Sequence, residues 1–597
     1  MDKLFLNLHK ENMHILGINA YHGDSSACLI RDGLLVAAAE EERFCRFKHW
    51  AGFPYHAIDF CLREAGIELE NVQHIALNQD SNANLFRKIK FASSNFISPK
   101  LIFDRIISMK KKASTLDHLS KEFDCSNFKG EIHSIEHHYA HLSSAFFPSP
   151  FEKSVVLSVD GFGDFASTAW GVGNENKIDI CGKVFYPHSL GKFYQALTQY
   201  LGFSNYGDEY KVMGLAPYGK PTYLDKMCEI VLLQKDGTFK LNPRYFHSVR
   251  EKIEYQWETG IPSVGKLWSD SLSQLLGPSR MPNEVLNQRH FDIAQSVQSM
   301  YEKALFHLLN SLHAKYNLDA VAIAGGCGMN SVANGKICRA TPFERVYIQA
   351  AAGDAGGSIG AALAVWHKTS DSKGLKKEPI MHAYWGPSFS DDEVGHLLLL
   401  RSKDLELKKC TFEKVDDEAL LCKLTAESIA SGQVIGWFQG RMEWGPRALG
   451  NRSILGDPRR ADMKDILNLK IKRRESFRPF APSILREEVS EWFEDDADVP
   501  FMMQVFQIRE SKRALIPAVT HVDGSGRLQT VHMKTNPRYY RLICEFRDQT
   551  GIPLILNTSF NENEPVVCYP EQALETFLRT KMDLLVMEGW MIRRHEN

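Results

Sequence analysis

The chain carries two histidines four residues apart, in Glu136-His137-His138-Tyr139-Ala140-His141. On a helix that spacing puts both imidazoles on one face, where they can grip a single ion. The zinc-protease pattern would need Glu at 138, and this chain has His138. Further on, Asp160 ends the apolar run Val155-Val156-Leu157-Ser158-Val159, and Asp354 lies in Gly353-Asp354-Ala355-Gly356-Gly357, a turn suited to opening a helix. Two imidazoles with two carboxylates form a mixed nitrogen and oxygen donor set that suits Fe(II), Mn(II) or Zn(II). A plainer account makes the histidines hydrogen-bonded groups at a helix end, and their spacing alone does not decide between the two.

Two further segments carry chemistry. Val321-Ala322-Ile323-Ala324-Gly325-Gly326-Cys327-Gly328-Met329-Asn330 runs from a strand through paired glycines into a helix, so its backbone N–H groups can approach a nucleotide. The densest segment is Gln439-Gly440-Arg441-Met442-Glu443-Trp444-Gly445-Pro446-Arg447-Ala448-Leu449-Gly450-Asn451-Arg452-Ser453, followed by Lys472 and by Phe477-Arg478-Pro479-Phe480-Ala481-Pro482. Guanidinium groups set among Gly, Pro, Trp and Phe, and not along one amphipathic stripe, suit a pocket for phosphate or carboxylate. Arg527 with Thr530, and Asn557-Thr558-Ser559, can add donors; Lys470, Arg473 and Arg474 read as plain basic surface.

The elements that must hold these residues are legible as a repeat. His14–Asn19, Ala27–Ile30 and Leu34–Ala37 recur in outline as Val155–Asp160, Ser167–Val172 and Lys177–Ile180, each copy alternating apolar runs with Gly or Asp turns. A duplicated meander of this kind builds actin-like and sugar-kinase-like folds, with a phosphate-binding cleft between the copies. After residue 384 the chain changes character: Val434–Phe438 and Pro553–Asn557 look like buried strands, and 415–431 and 460–471 like helices. Residues 367–384, polar and lysine-rich, read as a linker between a domain at 13–366 and another at 385–597. Residues 1–12 read as a loose extension. The basic Lys110-Lys111-Lys112 reads as a solvated helix face.

Composition bounds the function. A chain of 597 residues with 44% hydrophobic content exceeds one core and can fill two. Twelve cysteines without a CxxC pair point to reduced thiols in a cytoplasm. A net charge of -2 gives no reason to expect nucleic acid or an anionic membrane as partner. No apolar run is long enough to span a bilayer.

Taken together, Gly17 to Arg43, the His137/His141 pair, Lys211-Val212-Met213-Gly214-Leu215-Ala216, Gly325-Gly326, Gly445-Pro446-Arg447-Ala448-Leu449-Gly450, Arg478-Pro479-Phe480-Ala481-Pro482 and Asn557-Thr558-Ser559-Phe560-Asn561 resemble the NodU/CmcH/TobZ family of O-carbamoyltransferases, from about residue 14 to about 570. The resemblance implies an α/β chain with a duplicated actin-like (ASKHA, Kae1-like) N-terminal domain and a YrdC-like C-terminal domain. It implies that the C-terminal domain makes carbamoyl-adenylate from carbamoyl phosphate and ATP, releasing pyrophosphate, and that the N-terminal domain moves the carbamoyl group onto a hydroxyl of a small acceptor, a natural product, releasing AMP. Carried over by position, Lys472, Arg478, Arg527 and Ser559 match the carbamoyl phosphate ligands, and Arg447 and Arg452 the lining of the same anion and nucleotide pocket. Gly325, Gly326 and Asn330 fall at the nucleotide turn. His137, His141, Asp160 and Asp354 match the ligands of an iron, with Mg(II) accompanying ATP.

For the base that takes the acceptor proton the candidate is His22, with Asp24 in reserve; many relatives have His directly before Asp, whereas this chain reads His22-Gly23-Asp24. The acceptor cleft is expected beside the metal, near residues 20–25, 160–166 and 190–215, where Phe162, Phe165, Phe193 and Tyr194 suggest an apolar or ring-shaped acceptor. A homodimer is compatible with this reading. The competing readings are a sugar-kinase-like phosphotransferase and a nucleotide-gated actin-fold protein without catalysis.

Overall fold

A computed structural model describes residues 12–94, 115–247, 255–256, 262–370, 378–472, 475 and 477–595. The expected extension at 1–12 lies outside them except for its last residue, as do Lys110–Lys112, residues 371–377 of the expected linker, Arg473 and Arg474.

The repeat is visible as two five-stranded sheets of one topology. In the first, β1 (His14–Asn19), β2 (Ser26–Arg31) and β3 (Leu34–Glu40) form an antiparallel meander, and β4 (His74–Leu77) and β5 (Glu131–Ser134) extend it parallel to β1, giving the order β3-β2-β1-β4-β5. In the second, β6 (Lys153–Gly163), β7 (Ala166–Asn174) and β8 (Lys177–Phe185) form the meander, and β9 (Ala320–Ala324) and β10 (Arg345–Ile348) extend it parallel to β6. Tight turns make the meanders, and helical crossovers the parallel additions. This is the duplicated actin-like architecture.

Between the sheets lie two helices, each crossing to the other copy's sheet. α3 (His137–Phe146) follows β5 yet packs on β6, β7 and β9, and α5 (Gly357–Thr369) follows β10 yet packs on β1, β2 and β4. The two helices also pack on each other. Their approach is so close that a Cβ on Gly360 would stand 1.9 Å from the Ala140 carbonyl oxygen. The outer faces carry α1 (Tyr55–Ala65) and the long α4 (Gln288–Tyr316); α2 (Leu85–Ser94) follows β4 at the rim.

The C-terminal half is built on a nine-stranded mixed sheet. Its strands are β11 (Cys410–Lys414), β12 (Ile435–Phe438), β13 (Arg452–Gly456), β14 (Ala481–Leu485), β15 (Gln504–Gln507), β16 (Ser525–Val531), β17 (Leu554–Ser559), β18 (Leu584–Met587) and β19 (Trp590–Arg594), in the order β11-β19-β18-β12-β13-β17-β14-β16-β15. The apolar runs at 434–438 and 553–557 become its buried β12 and β17. The helical stretch at 415–431 is α6 (Glu418–Ala430), where Asp417 Oδ1 accepts from the Ala419 and Leu420 amides. The stretch at 460–471 is shorter than its sequence suggests: an α-turn at Met463–Leu467 loosens into a π-turn at Asn468–Lys472. No helix of the described residues is long and apolar enough to cross a membrane.

The two halves share packing. Trp444, Leu449, Phe477 and Phe501 from the C-terminal half belong to the apolar core of the second sheet, and Met442 and Cys568 to that of the first. Ahead of the C-terminal sheet, the Ile380 amide donates to the Pro148 carbonyl and Tyr384 bridges to Glu443.

The α3–α5 contact sets a stability test. Gly360→Ala must push a pair of buried helices away from each other, an overpacking cost of about 1–3 kcal/mol. Gly66→Ala, where φ is +66° and nothing lies within 4 Å, meets backbone strain alone, about 1 kcal/mol. Denaturant midpoints that fall further for Gly360→Ala than for Gly66→Ala are the expected result.

Candidate functional site

The helix α3 begins immediately after β5, with the Tyr139 amide donating to the Glu136 carboxylate as its cap. Its first turn presents His137 and its second His141, both fully buried. Asp160 comes from β6 at the point where pairing with β7 loses register, and Asp354 from the turn that opens α5. His137 Nε2 lies 3.0 Å from His141 Nε2, 3.0 Å from Asp160 Oδ2 and 3.7 Å from Asp354 Oδ1. His141 Nε2 lies 3.6 Å from Asp160 Oδ2 and 3.4 Å from Asp354 Oδ1. Donors about 2.1 Å from one cation stand roughly 3.0–3.4 Å apart along octahedral or tetrahedral edges, so these residues fit a divalent ion.

The surroundings fix the cluster. The Gly326 amide donates to Asp160 Oδ1, and Ser189 Oγ donates to the Asp160 carbonyl. Gly163 lies flat on the His137 ring; a Cβ there would come within 2.0 Å of it. Burial raises the Asp160 carboxyl, but hydrogen bonds from both imidazoles more than offset this and hold it well below the usual carboxylate range. Burial lowers His141, and the two carboxylates outweigh it and lift the imidazole to about 9. Burial and the Asp160 charge raise Asp354. His138, by contrast, is pushed down to about 3 by burial and by His137, and its Nδ1 pairs with Ser158 Oγ at 2.9 Å. It is a neutral core histidine beside the cluster.

His22 stands next to this group, its ring 5.1 Å from that of His137. Asp24 is turned elsewhere, with Oδ1 2.7 Å from His49 Nδ1. Burial raises the Asp24 carboxyl, and His49 offsets it enough to hold the group below the usual range.

The cationic residues meet in a cavity of about 720 Å³ between the two halves of the chain. Arg447, Lys472, Arg478, Arg527 and Ser559 line it from the C-terminal half; Arg43, Lys48, His49 and Lys211 line it from the N-terminal half. Lys472 ends the π-turn, and its Nζ donates to the carbonyls of Ser559 and Asn561 and to Asn561 Oδ1. Arg478 stacks over the Tyr210 ring at 4.6 Å. Burial and the Arg478 charge push the Arg447 guanidinium down to about 10, the mark of cations crowded where an anion would relieve them. Tyr206 joins the two sites: it lines the cavity, lies against Gly23 beside His22, and feels the charges of Asp354, Asp24 and Asp160, which with burial hold its phenol well above the usual value.

Several sequence candidates are placed away from the cavity wall. Arg452 is fully buried under Phe438, and its terminal nitrogens donate to the carbonyls of Gln439, Gly440, Asn451 and Pro387. The Gly326 amide donates to Asp160 and the Gly325 amide to the Ala352 carbonyl, and Asn330 caps the following turn and pairs with Gln298; the neighbouring Ser331 and Val332 reach the cavity instead. Thr530 donates to Asp498. Phe193 and Tyr194 are core, whereas Phe162 and Phe165 pack half-buried around Tyr186.

Residues that the sequence did not single out hold the Gly445–Arg452 loop. Glu443 Oε1 accepts from the amides of Leu449, Asn451 and Arg452. From the far half of the chain, Glu40 Oε1 accepts from the Gly445 amide and Arg43 Nη2 donates to the Gly445 carbonyl. A carboxylate inside an arginine-rich turn was the only local signal for Glu443.

A family model described as carbamoyltransferase N-terminus matches residues 14–363, and one described as carbamoyltransferase C-terminus matches residues 426–594. The chain is 41% identical to an uncharacterized protein of Synechocystis sp., over 97% of each. It is 38% identical to the nodulation protein NolNO of Sinorhizobium fredii, over 96% of this chain and 80% of that protein. It is 36% identical to the 3'-hydroxymethylcephem-O-carbamoyltransferase of Amycolatopsis lactamdurans, over 40% of this chain and 42% of that protein.

Glu443 offers a test of how the loop is held. Glu443→Ala strips the acceptor from buried amides, at about 1–3 kcal/mol for each group left unpaired. Hydrogen exchange at Leu449, Asn451 and Arg452 is expected to accelerate at least tenfold, whereas Glu443→Gln, which keeps an acceptor oxygen, changes it less.

Proposed function

The chain belongs to the carbamoyltransferase family and is an enzyme that transfers carbamoyl groups; from that premise we propose that it is an ATP-dependent O-carbamoyltransferase acting through carbamoyl-adenylate. The observation that carries this reading is the cavity shared by the two halves, where Arg447, Lys472 and Arg478 face residues that adjoin the His137–Asp354 cluster.

In the cavity, water cleaves carbamoyl phosphate to carbamate and phosphate. A carbamate oxygen then attacks the α-phosphorus of ATP, the α–β bridging bond breaks, and pyrophosphate leaves. Each species is anionic, and Arg447, Lys472, Arg478 and Arg527 provide the fixed positive field for the charge that develops, with Mg(II) accompanying the nucleotide. Ser559 Oγ, held 3.3 Å from Lys472 Nζ, orients the small anion. In the N-terminal half the acceptor hydroxyl attacks the carbamoyl carbon and AMP leaves. His22, next to His137, takes the hydroxyl proton.

His137, His141, Asp160 and Asp354 are the residues that would hold a divalent metal, Fe(II) or a similar ion. Such an ion supplies Lewis acidity toward phosphoryl oxygens. The chain itself keeps water from the reactive anhydride by burying the cluster, whose two imidazoles are wholly withdrawn from solvent. A sugar-kinase reading would use the duplicated sheets alone, leaving the cationic C-terminal half without a task.

Two variants separate the steps. Arg478→Ala is expected to lower carbamoyl phosphate-dependent pyrophosphate release by about 10²-fold or more. His137→Ala is expected to leave that release in place and to stop carbamoyl transfer to the acceptor. Equal loss of the same step in both folded variants would contradict the division of labour.

A further inference from the structure

A second group of metal-suited side chains stands at the edge of the first sheet. β4 and β5 run parallel with His74 opposite Glu131 and Ala76 opposite His133, so these four residues share one face of the sheet. On that face His133 Nε2 lies 3.0 Å from His74 Nδ1 and 3.7 Å from Glu131 Oε2, and the three ligand atoms all lie within 4.8 Å of one another. His74 and Glu131 open their strands at the amino end, whereas His137 comes after the carboxyl end of β5. The two groups are therefore distinct.

A hydrogen bond explains only part of this geometry. One ring proton on His133 Nε2 serves one neighbour at a time, whereas one cation serves both imidazoles and the carboxylate together. Donors about 2.1 Å from an ion stand roughly 3.0–3.4 Å apart, a spacing the imidazole pair already meets. The His133 side chain is 9% exposed and so fixed in place, while that of Glu131, at 70%, is exposed enough to swing onto the ion. Burial lowers the His133 imidazole against the pull of Glu131, and the charges of His74 and Lys368 add to it, so the ring is held in the neutral form that ligates. Two imidazoles and one carboxylate, with a further position open to solvent, are a donor set for Zn(II) and not for a hard cation such as Mg(II).

We propose that His74, His133 and Glu131 form a second metal site, for Zn(II), that staples β5 to β4. Among the described residues β5 is the edge strand of its sheet, paired with β4. The crossover that joins the two strands takes residues 78–130, and a cross-link that closes so long a loop removes much freedom from the unfolded chain. From β5 the chain passes through Ile135 and Glu136 directly into α3, so the ion fixes the strand that delivers His137 and His141. The proposal stands independently of the carbamoyl-transfer reading, because it uses none of the residues assigned to either step.

The test titrates the metal-stripped full chain with Zn(II) by isothermal titration calorimetry, alone and in excess Mg(II), and repeats this for His74→Ala, His133→Ala and Glu131→Gln. The unaltered chain is expected to bind one equivalent of Zn(II) more than either histidine variant, and Glu131→Gln to bind that ion roughly tenfold or more weakly. Zinc held by the His137 cluster or by cysteines is common to all four proteins and cancels in the difference. Zn(II) is also expected to slow amide hydrogen exchange in β5 of the unaltered chain and not of His133→Ala. Circular dichroism reports whether each variant is folded, and Glu131→Gln, altered at an exposed carboxylate, decides the matter if a histidine variant is not. The proposal is overturned if the folded variants match the unaltered chain in stoichiometry and affinity. It is equally overturned if Mg(II) displaces the extra Zn(II), or if Zn(II) leaves exchange in β5 unchanged.

Discussion

The contact between α3 and α5 is the constraint on which the rest depends. Each helix leaves one sheet and packs on the other, so the two copies cannot separate without unmaking both cores. At its tightest point Gly360 lies on the Ala140 carbonyl. The donors of the cluster follow from this exchange: His137 and His141 ride on α3, Asp354 lies in the turn before α5, and Asp160 lies near the carboxyl end of the strand against which α3 packs. A metal-suited site therefore forms where the pseudo-symmetric halves meet, because those are the positions the helix exchange brings within bonding reach.

The duplication is complete in topology and broken in chemistry. Asn19 ends β1 and Asp160 lies near the end of the longer β6, while Asn78 follows β4 as Gly325 follows β9. In the second copy the carboxylate gathers two imidazoles and the Gly326 amide. In the first copy two neutral amides pair with each other, Asn78 Nδ2 donating to Asn19 Oδ1, and a cavity opens beside them. A carboxylate in one copy and an amide in the other give the two copies different chemistry on one strand order.

Much of this was legible in the sequence where the signal was local. Alternating runs with Gly or Asp turns reveal both meanders, and the spacing of His137 and His141 places them on one helix face whatever surrounds them. The cationic segment at 439–482 is legible as cavity lining, and not plain surface, because its arginines sit among Gly, Pro and Trp; Arg447, Lys472 and Arg478 do line one cavity. Which arginine faces the cavity is not local information. Arg452 lies in β13 and is turned under Phe438, while Arg447 lies in the loop and faces Arg478. Glu40 and Arg43 escape notice because their partner, Gly445, is some 400 residues away in the chain. Phe193 and Tyr194 read as acceptor contacts from their position, yet α4 and the second sheet enclose them as core.

The cationic cavity and the His137–Asp354 cluster differ in charge: one gathers guanidinium and ammonium groups, the other sets two carboxylates against two imidazoles. Between the two stand Tyr206, which lies against Gly23, and the His22–Asp24 loop, whose Asp24 pairs with His49. On the proposed reading the intermediate is an anhydride that water destroys, and its lifetime depends on how completely that partition excludes water while one end of the molecule crosses it. The clamp of Glu40 and Arg43 on Gly445 then acquires a functional sense. It fixes the loop that carries Arg447 directly against β3 of the first sheet, so the two walls of the shared cavity are tied to each other by hydrogen bonds.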